Sequence, residues 1–435
     1  MTKSIADEQN KIRAVYKKLF SKYEFLFFAS VAVTGIISSF LTYPLVDGYK
    51  YNSGRDLIGL YVPPVLAVFY VTVMIYRKEY NRKLLIKMVI LYLVQITPFV
   101  PLFHQAYLPT PYDDFAKSYV YARNIVDNHT LWGGDKLIYT KAGYSYVTQP
   151  GYRYFLAAQL LIFRGLYRVI SFINIGLLIV GIYYLQKAIQ VLVSEKLLRS
   201  GMLLVVLLAL PYAIKNLLMG MPESVTVLLL IVFTYLYVIR RNKATAIFIL
   251  GMIPFFRQNL LITVLLLGFW ILFNSREKVK LVISFLVPLL LPLYHNLYYA
   301  GEWRFFVRIY KLLYQNNPFD RSPIASINYQ FILNNILHYA GIDIQNGRFT
   351  VPLVAVIFLP LSLLLYFIFI RKLRPFKLKV IFIIVTLTAV VPTIFLGNAY
   401  YPRFEFVNVI VMLVSYLLLH ACKDPKPQTS HLRVC

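Results

Sequence analysis

The chain has 435 residues, of which 59% are hydrophobic and only 14% charged, with a mean hydropathy of +0.64. A soluble domain carries roughly 45–50% apolar and about 25% charged residues, so this composition excludes a water-soluble globular protein, a disordered chain and a secreted disulfide scaffold. The formal net charge of +27 would point to nucleic acid on a soluble protein, but on so apolar a chain the location of the charge has to be settled first.

A helix needs about 20 largely apolar residues to cross the hydrocarbon core of a bilayer. After a basic, polar arm over 1–23, windows of that size predict spans near 24–46, 57–76 and 84–106. The arm has no signal-peptide cleavage pattern. A long segment over 107–167 follows, whose apolar run at 151–163 reads as a helix lying in or dipping into the outer face. Spans resume near 168–186, 202–218 and 223–239, followed by two short apolar segments, 244–256 and 259–273, interrupted by Arg257-Gln258-Asn259. One more span at 279–297 leads into a second long segment over 298–350. The last spans lie near 351–370, 380–396 and 405–421, before a tail over 422–435. The expected fold is all-α, a polytopic helical integral membrane protein with about 12 crossings.

Orientation follows from the Lys/Arg clusters. The arm holds Lys3, Lys11, Arg13, Lys17, Lys18 and Lys22, and later clusters stand at Arg77/Lys78/Arg82/Lys83, Arg240/Arg241/Lys243, Arg276/Lys278/Lys280 and Arg371/Lys372/Arg374/Lys377/Lys379. Placing them all on the cytoplasmic side is consistent with alternating spans and puts both termini inside. The inner side then holds 28 Lys and Arg against 7 acids, and the outer side 17 against 11. Most of the excess charge is thus a topology signal, and nucleic acid is not an expected partner. The two long outer segments, about 107–150 and 298–350, are rich in Tyr, Asn, Trp and Gly, a composition that favours order and function.

The first outer segment opens Leu108-Pro-Thr-Pro-Tyr-Asp113-Asp114-Phe, with two adjacent carboxylates just after prolines that end the preceding helix. Adjacent acids are costly near an apolar phase unless solvated, paired or metal-bound. One can accept a proton from an incoming hydroxyl, while the other tunes it or helps hold a divalent cation, Mg2+ or Mn2+. Either can instead cap the following helix. Arg257 sits midway through a long apolar stretch bounded by two cytoplasmic clusters, so the chain must go out and come back, leaving Arg257 near the outer turn. It is a phosphate-binding candidate or a snorkelling turn residue. Arg403 offers the same fork to phosphate, with an ion pair to Glu405 as the rival. Glu223, behind Pro222, fits either a catalytic or metal role or a favourable charge in a first helical turn. Arg153 follows Pro150-Gly151 and is a further candidate, with an ordinary interface arginine as the alternative.

The six histidines show no metal-ligand spacing, and His104 and His295 read as interface residues. Asn128-His129-Thr130 is a glycosylation sequon that matters only in a eukaryotic secretory membrane. Cys422 and Cys435 fall in the cytoplasmic tail, where no disulfide is expected.

The stretch Asp113-Asp-Phe-Ala-Lys-Ser-Tyr119-Val-Tyr121-Ala-Arg123-Asn124-Ile125 resembles the start of the catalytic outer loop in the GT-C glycosyltransferases, membrane enzymes that use polyprenyl-phosphate-linked sugars. The segments Thr148-Gln149-Pro150-Gly151-Tyr152-Arg153-Tyr154, Met221-Pro222-Glu223-Ser224, Phe256-Arg257-Gln258-Asn259 and Tyr401-Pro402-Arg403-Phe404 extend the likeness over roughly 107–421. The chain departs from the family layout in two ways. The acidic pair follows the third expected span rather than the first, and the distal globular domain of some members is missing. The resemblance implies a GT-C-like fold with a helical first catalytic loop and transfer of a sugar from a polyprenyl-phosphate donor to a hydroxyl of a glycan or lipid acceptor. It implies inversion, with Asp113 or Asp114 as general base and Arg257, Arg403, Glu223, Arg153 and Tyr119 as substrate-binding residues. The expected site is the outer face of a bacterial cytoplasmic membrane. A transporter of lipid-linked sugar and an O-antigen-type polymerase or ligase are the alternatives.

Overall fold

The computed structural model describes residues 114–129, 150–163, 167–192, 222–300, 343–345, 348–350, 365–395 and 402–421, with positions 303, 333 and 363. The chain divides into two compact units, Met1–Ala106 and Tyr107–Cys435, and all described residues belong to the second. The spans expected at 24–46, 57–76, 84–106 and 202–218 lie outside the described residues. So do Asp113, both cysteines but for the helix end before them, and most of 298–350.

Among the described residues, helices form where the apolar patterning asks for them. The segment over 107–167 contains α1 (Asp114–Asp127) and α2 (Pro150–Ile162), followed by α3 (Tyr167–Leu192), which begins at its end. A compact series comes next: α4 (Pro222–Val238), α5 (Lys243–Phe256), a single 3-10 turn (Gln258–Leu260), α6 (Leu261–Phe273), α7 (Lys278–Leu289) and α8 (Leu291–Ala300). Residues 365–372 are helical, and α9 (Phe376–Phe395) and α10 (Pro402–Ala421) complete the described part. The all-α expectation needs one amendment. Two short strands, β1 (Asp343–Gln345) and β2 (Arg348–Thr350), pair antiparallel with Ile344 opposite Phe349. Between them the sequence reads Asn346-Gly347, the pair that best suits a two-residue hairpin turn.

Among the described residues no helix is by itself long and apolar enough to cross a membrane. Several apolar stretches are interrupted. Arg257 breaks the stretch between α5 and α6 with an extended backbone (φ −145°, ψ 96°), just after Pro254, which removes an N–H from the ladder. Pro288 stands at the end of α7, where Leu290 keeps right-handed helical geometry, so the chain runs on into α8 with its direction barely interrupted.

Connections of about four residues join α4 to α5, α5 to α6 and α6 to α7, and each of these pairs is in contact, so neighbours run antiparallel. Close approach is possible because small residues face bulky ones. A Cβ on Gly251 of α5 would lie 2.6 Å from the Phe285 carbonyl oxygen and 2.8 Å from Pro288 of α7. A Cβ on Gly268 of α6 would overlap the Phe285 ring itself. Phe285, 1% exposed, therefore fills a slot built by two glycines on two helices. Thr263 of α6 and Thr388 of α9 share a hydrogen bond of 3.2 Å, which lays the later half of α9 beside the start of α6. The packed core runs through α4 and α10, where Phe233, Ile231, Leu417 and Leu418 are fully buried.

The outward faces are apolar too. On α7, Val279, Ile283 and Val287 recur every four residues and are 75%, 59% and 54% exposed. Exposed Ile262, Phe269 and Phe273 stand seven and four residues apart on α6, and Ile384, Leu387 and Val391 three and four apart on α9, again at helical spacing. A water-soluble helix would put polar side chains there.

Candidate functional site

The ends of α5 and α4 bring two of the sequence candidates together. Arg257 caps α5, its N–H donating to the Ile253 carbonyl at 2.8 Å, and the helix stops there. Glu223 occupies the first turn of α4, where the positive end of the helix dipole favours an acid. The Arg257 Nη2 lies 3.0 Å from the Glu223 Oε1, with side-chain exposures of 6% and 0%. A charge of either sign alone at such a depth would be very costly, so each residue makes the other tolerable. The Arg257 side chain thus turns inward onto Glu223.

The start of α2 packs onto the same end of α5. A Cβ on Gly151 would lie 2.5 Å from the Phe255 ring and 3.0 Å from the Phe255 carbonyl oxygen, two residues before Arg257. Only a glycine permits that approach without displacing backbone. Three residues on, on the same face of α2, Tyr154 stacks on Phe255 with centroids 6.1 Å apart. Its hydroxyl is hydrogen-bonded to the His295 Nε2 of α8 at 2.9 Å, and the His295 ring meets both aromatics edge-on. Arg153, between them in sequence and 9% exposed, points the other way, with its guanidinium 4.4 Å from the centroid of Tyr121 on α1. Arg153 is thus buried against an aromatic face.

Tyr119 and Tyr121 are both buried on α1, at 9% and 3% exposure. Asp114 is the first residue of that helix, about 10 Å along the axis from Tyr121. Its side chain, and Asp113 altogether, lie outside the described residues. The same holds for the side chains of Arg403, in the first turn of α10, and of Glu405, so the expected phosphate fork and its rival ion pair stand outside the described residues. Among the described residues no group of three or more His, Cys, Asp or Glu could hold a metal ion. The acidic pair expected to take a divalent cation falls outside that search.

Reading the residues in sequence order missed two partners. His295 reads as a bland interface residue but is held by Tyr154. Phe255 reads as one more apolar position but is the plate between Gly151, Tyr154 and His295. The available signal was the density of aromatics in Gly151-Tyr152-Arg153-Tyr154-Phe155, more than one buried face of a short helix needs. The arrangement as a whole offers a cationic fork balanced by a carboxylate, a second guanidinium over an aromatic ring, and a half-buried aromatic plate beside them. Compared with protein-family models, with curated proteins and with solved structures, the chain matches none.

Proposed function

We propose that the protein is a membrane glycosyltransferase that moves a sugar from a polyprenyl-phosphate donor to an acceptor hydroxyl, working at the end of the helices where Arg257 stands. The observation that carries this reading is the buried Arg257–Glu223 pair, 3.0 Å apart, at the break of an otherwise apolar helical stretch. A guanidinium held in a dry setting suits a phosphate that must be recognised beside a lipid tail. The outward apolar stripes of α6, α7 and α9 support placement in a bilayer, where the polyprenyl chain of the donor also resides. Arg153 and the aromatic plate of Tyr154 and Phe255 add a second cation and a surface for a sugar ring.

In this reading the acceptor oxygen attacks the anomeric carbon as the bond from that carbon to the phosphate oxygen breaks. The acceptor proton passes to the carboxylate of Asp113 or Asp114, and the lipid phosphate leaves with the bonding electron pair. Arg257 and Arg153 offset the charge that grows on the departing phosphate. A single displacement inverts the anomeric centre. A divalent cation held by the acidic pair would add to the same charge compensation.

The test is transfer by purified protein from a panel of polyprenyl-phosphate sugars, with Asp113→Asn and Asp114→Asn as the variants. Loss of transfer by at least about a hundredfold in one of them, at unchanged expression and insertion, is the expected outcome. Wild-type transfer by both variants rules out the general base. Vesicle flux of a labelled lipid-linked sugar with no covalent product would replace the enzyme reading with a transporter. Turnover only of oligosaccharide-diphosphate lipids would replace it with a polymerase or ligase.

A further inference from the structure

The opposite end of the helices carries its own pattern. The antiparallel run of α4, α5, α6 and α7 puts the α4–α5 and α6–α7 connections at the end remote from Arg257. Contact of the later half of α9 with the start of α6 puts the beginning of α9 there as well. The three stretches 240–243, 276–280 and 371–379 hold eleven Lys and Arg against one acid, Glu277. All the cations except Lys379 are exposed. Glu277 lies 3.9 Å from Lys280, which leaves the rest of the group with no acid in its own stretches.

What distinguishes this end from an ordinary solvated basic face is what lies between the charges. Phe273, Phe376 and Val279 are 78%, 77% and 75% exposed. Val279 separates Lys278 from Lys280, and Phe376 separates the Arg374-Pro375 step from Lys377. The apolar positions continue away from this end, through Ile283 and Val287 on α7. A polyanion such as nucleic acid would meet the cations but gain nothing from a continuous aliphatic stripe. A lipid leaflet matches both: acyl chains along the stripe and anionic headgroups at the cations.

We propose that this end is a binding surface for anionic phospholipid headgroups, a function of the basic residues beyond setting orientation. The inference rests on placement of the apolar faces in a bilayer and is independent of the sugar-transfer chemistry. In its test, the full chain is reconstituted into phosphatidylcholine vesicles containing a minor share of phosphatidylglycerol, then gently extracted, and the lipid retained on the protein is quantified. Phosphatidylglycerol is expected to be enriched over its bulk share. Enrichment should fall at least about fivefold in the Arg276→Gln, Lys278→Gln, Lys377→Gln variant, whose residues are exposed and outside the Arg257 site. The charge-keeping Arg276→Lys, Lys278→Arg, Lys377→Arg variant should retain it, and that separates headgroup attraction from a folding defect. Retention at the bulk ratio, or equal enrichment in the Gln variant, overturns the proposal. So does an oligonucleotide that displaces the retained phosphatidylglycerol. Alkaline extraction run in parallel reports the bilayer placement separately: release of the wild-type chain from vesicles removes that premise and the proposal with it.

Discussion

The Arg257–Glu223 pair makes a sharp energetic prediction. At 3.0 Å and an effective dielectric near 20, the attraction between the two charges is about 5–6 kcal/mol. Burial removes most of the water from both partners, at a cost of several kcal/mol per ion, so the intact pair stands near balance. Taking one partner away leaves the other charge buried with the desolvation cost uncompensated. Glu223→Gln and Arg257→Met should therefore each destabilise the protein by roughly 3–5 kcal/mol. The double variant should cost much less than the sum, with a coupling energy of about 2–3 kcal/mol. Denaturant unfolding in detergent, followed by the fluorescence of the three tryptophans, measures all three variants against wild type. If the two single costs are each below about 1 kcal/mol and simply add in the double variant, the pair is solvated and the reasoning about its burial fails.

Other consequences are more local. Gly251→Ala should destabilise by about 1–3 kcal/mol, because its new methyl meets backbone of α7 that has no room to yield, and Gly268→Ala should do likewise against the Phe285 ring. Gly176→Ala, on α3 with nothing within 4 Å of the added carbon, should be neutral or stabilising by up to about 1 kcal/mol in the same unfolding assay. Arg153→Met keeps much of the side-chain volume but loses the guanidinium over Tyr121, a stability cost of about 0.5–2 kcal/mol, and it should weaken donor binding in a titration with a polyprenyl phosphate. Tyr154→Phe removes the hydrogen bond to His295 and leaves the stacking on Phe255. It should cost about 0.5–1.5 kcal/mol, clearly less than Tyr154→Ala.

The helices were largely legible in the sequence because the signal for them is repeated many times over. A segment expected at 223–239 is the helix Pro222–Val238, and one expected at 244–256 is Lys243–Phe256. The break at Arg257 was legible as well, since an arginine between two apolar runs leaves the chain few choices. The hairpin at 343–350 was not expected, although Asn346-Gly347 announces it: the strands are three residues each, too short to set up an alternating pattern that stands out. Candidate site residues were legible as types and not as partners. Glu223 and Arg257 each carry a local explanation, a helix dipole in one case and a turn in the other. Only the fold places two residues so far apart in sequence at ion-pair distance. His295 needed the same information, because a lone histidine at the end of an apolar helix has no sequence mark of the tyrosine it meets.

Stability gives little reason to keep the pair. Replacing a buried ion pair by apolar residues of similar volume is often neutral or stabilising, and the chain neighbours Val225, Phe256 and Leu260 are themselves buried and apolar. The backbone at Arg257 is extended rather than helical and opens the connection that turns the chain from α5 back along α6. Charge at this end of the bundle, with a second guanidinium on α2 and an aromatic plate on the other face of that helix, calls for a use that packing does not supply. Anion recognition next to an apolar phase is such a use. A fixed carboxylate partner keeps the guanidinium oriented before any ligand arrives, which on the proposed reading lowers the reorganisation needed when a phosphate is bound. The basic end meets the opposite requirement: its cations are exposed and nearly without acids in their own stretches, as suits contact with a surface whose charge is spread over many headgroups. On the two proposals above, one buried cation held by its carboxylate and a group of exposed ones would be two solutions to the binding of phosphate, differing in how many phosphates there are and how deeply each must go.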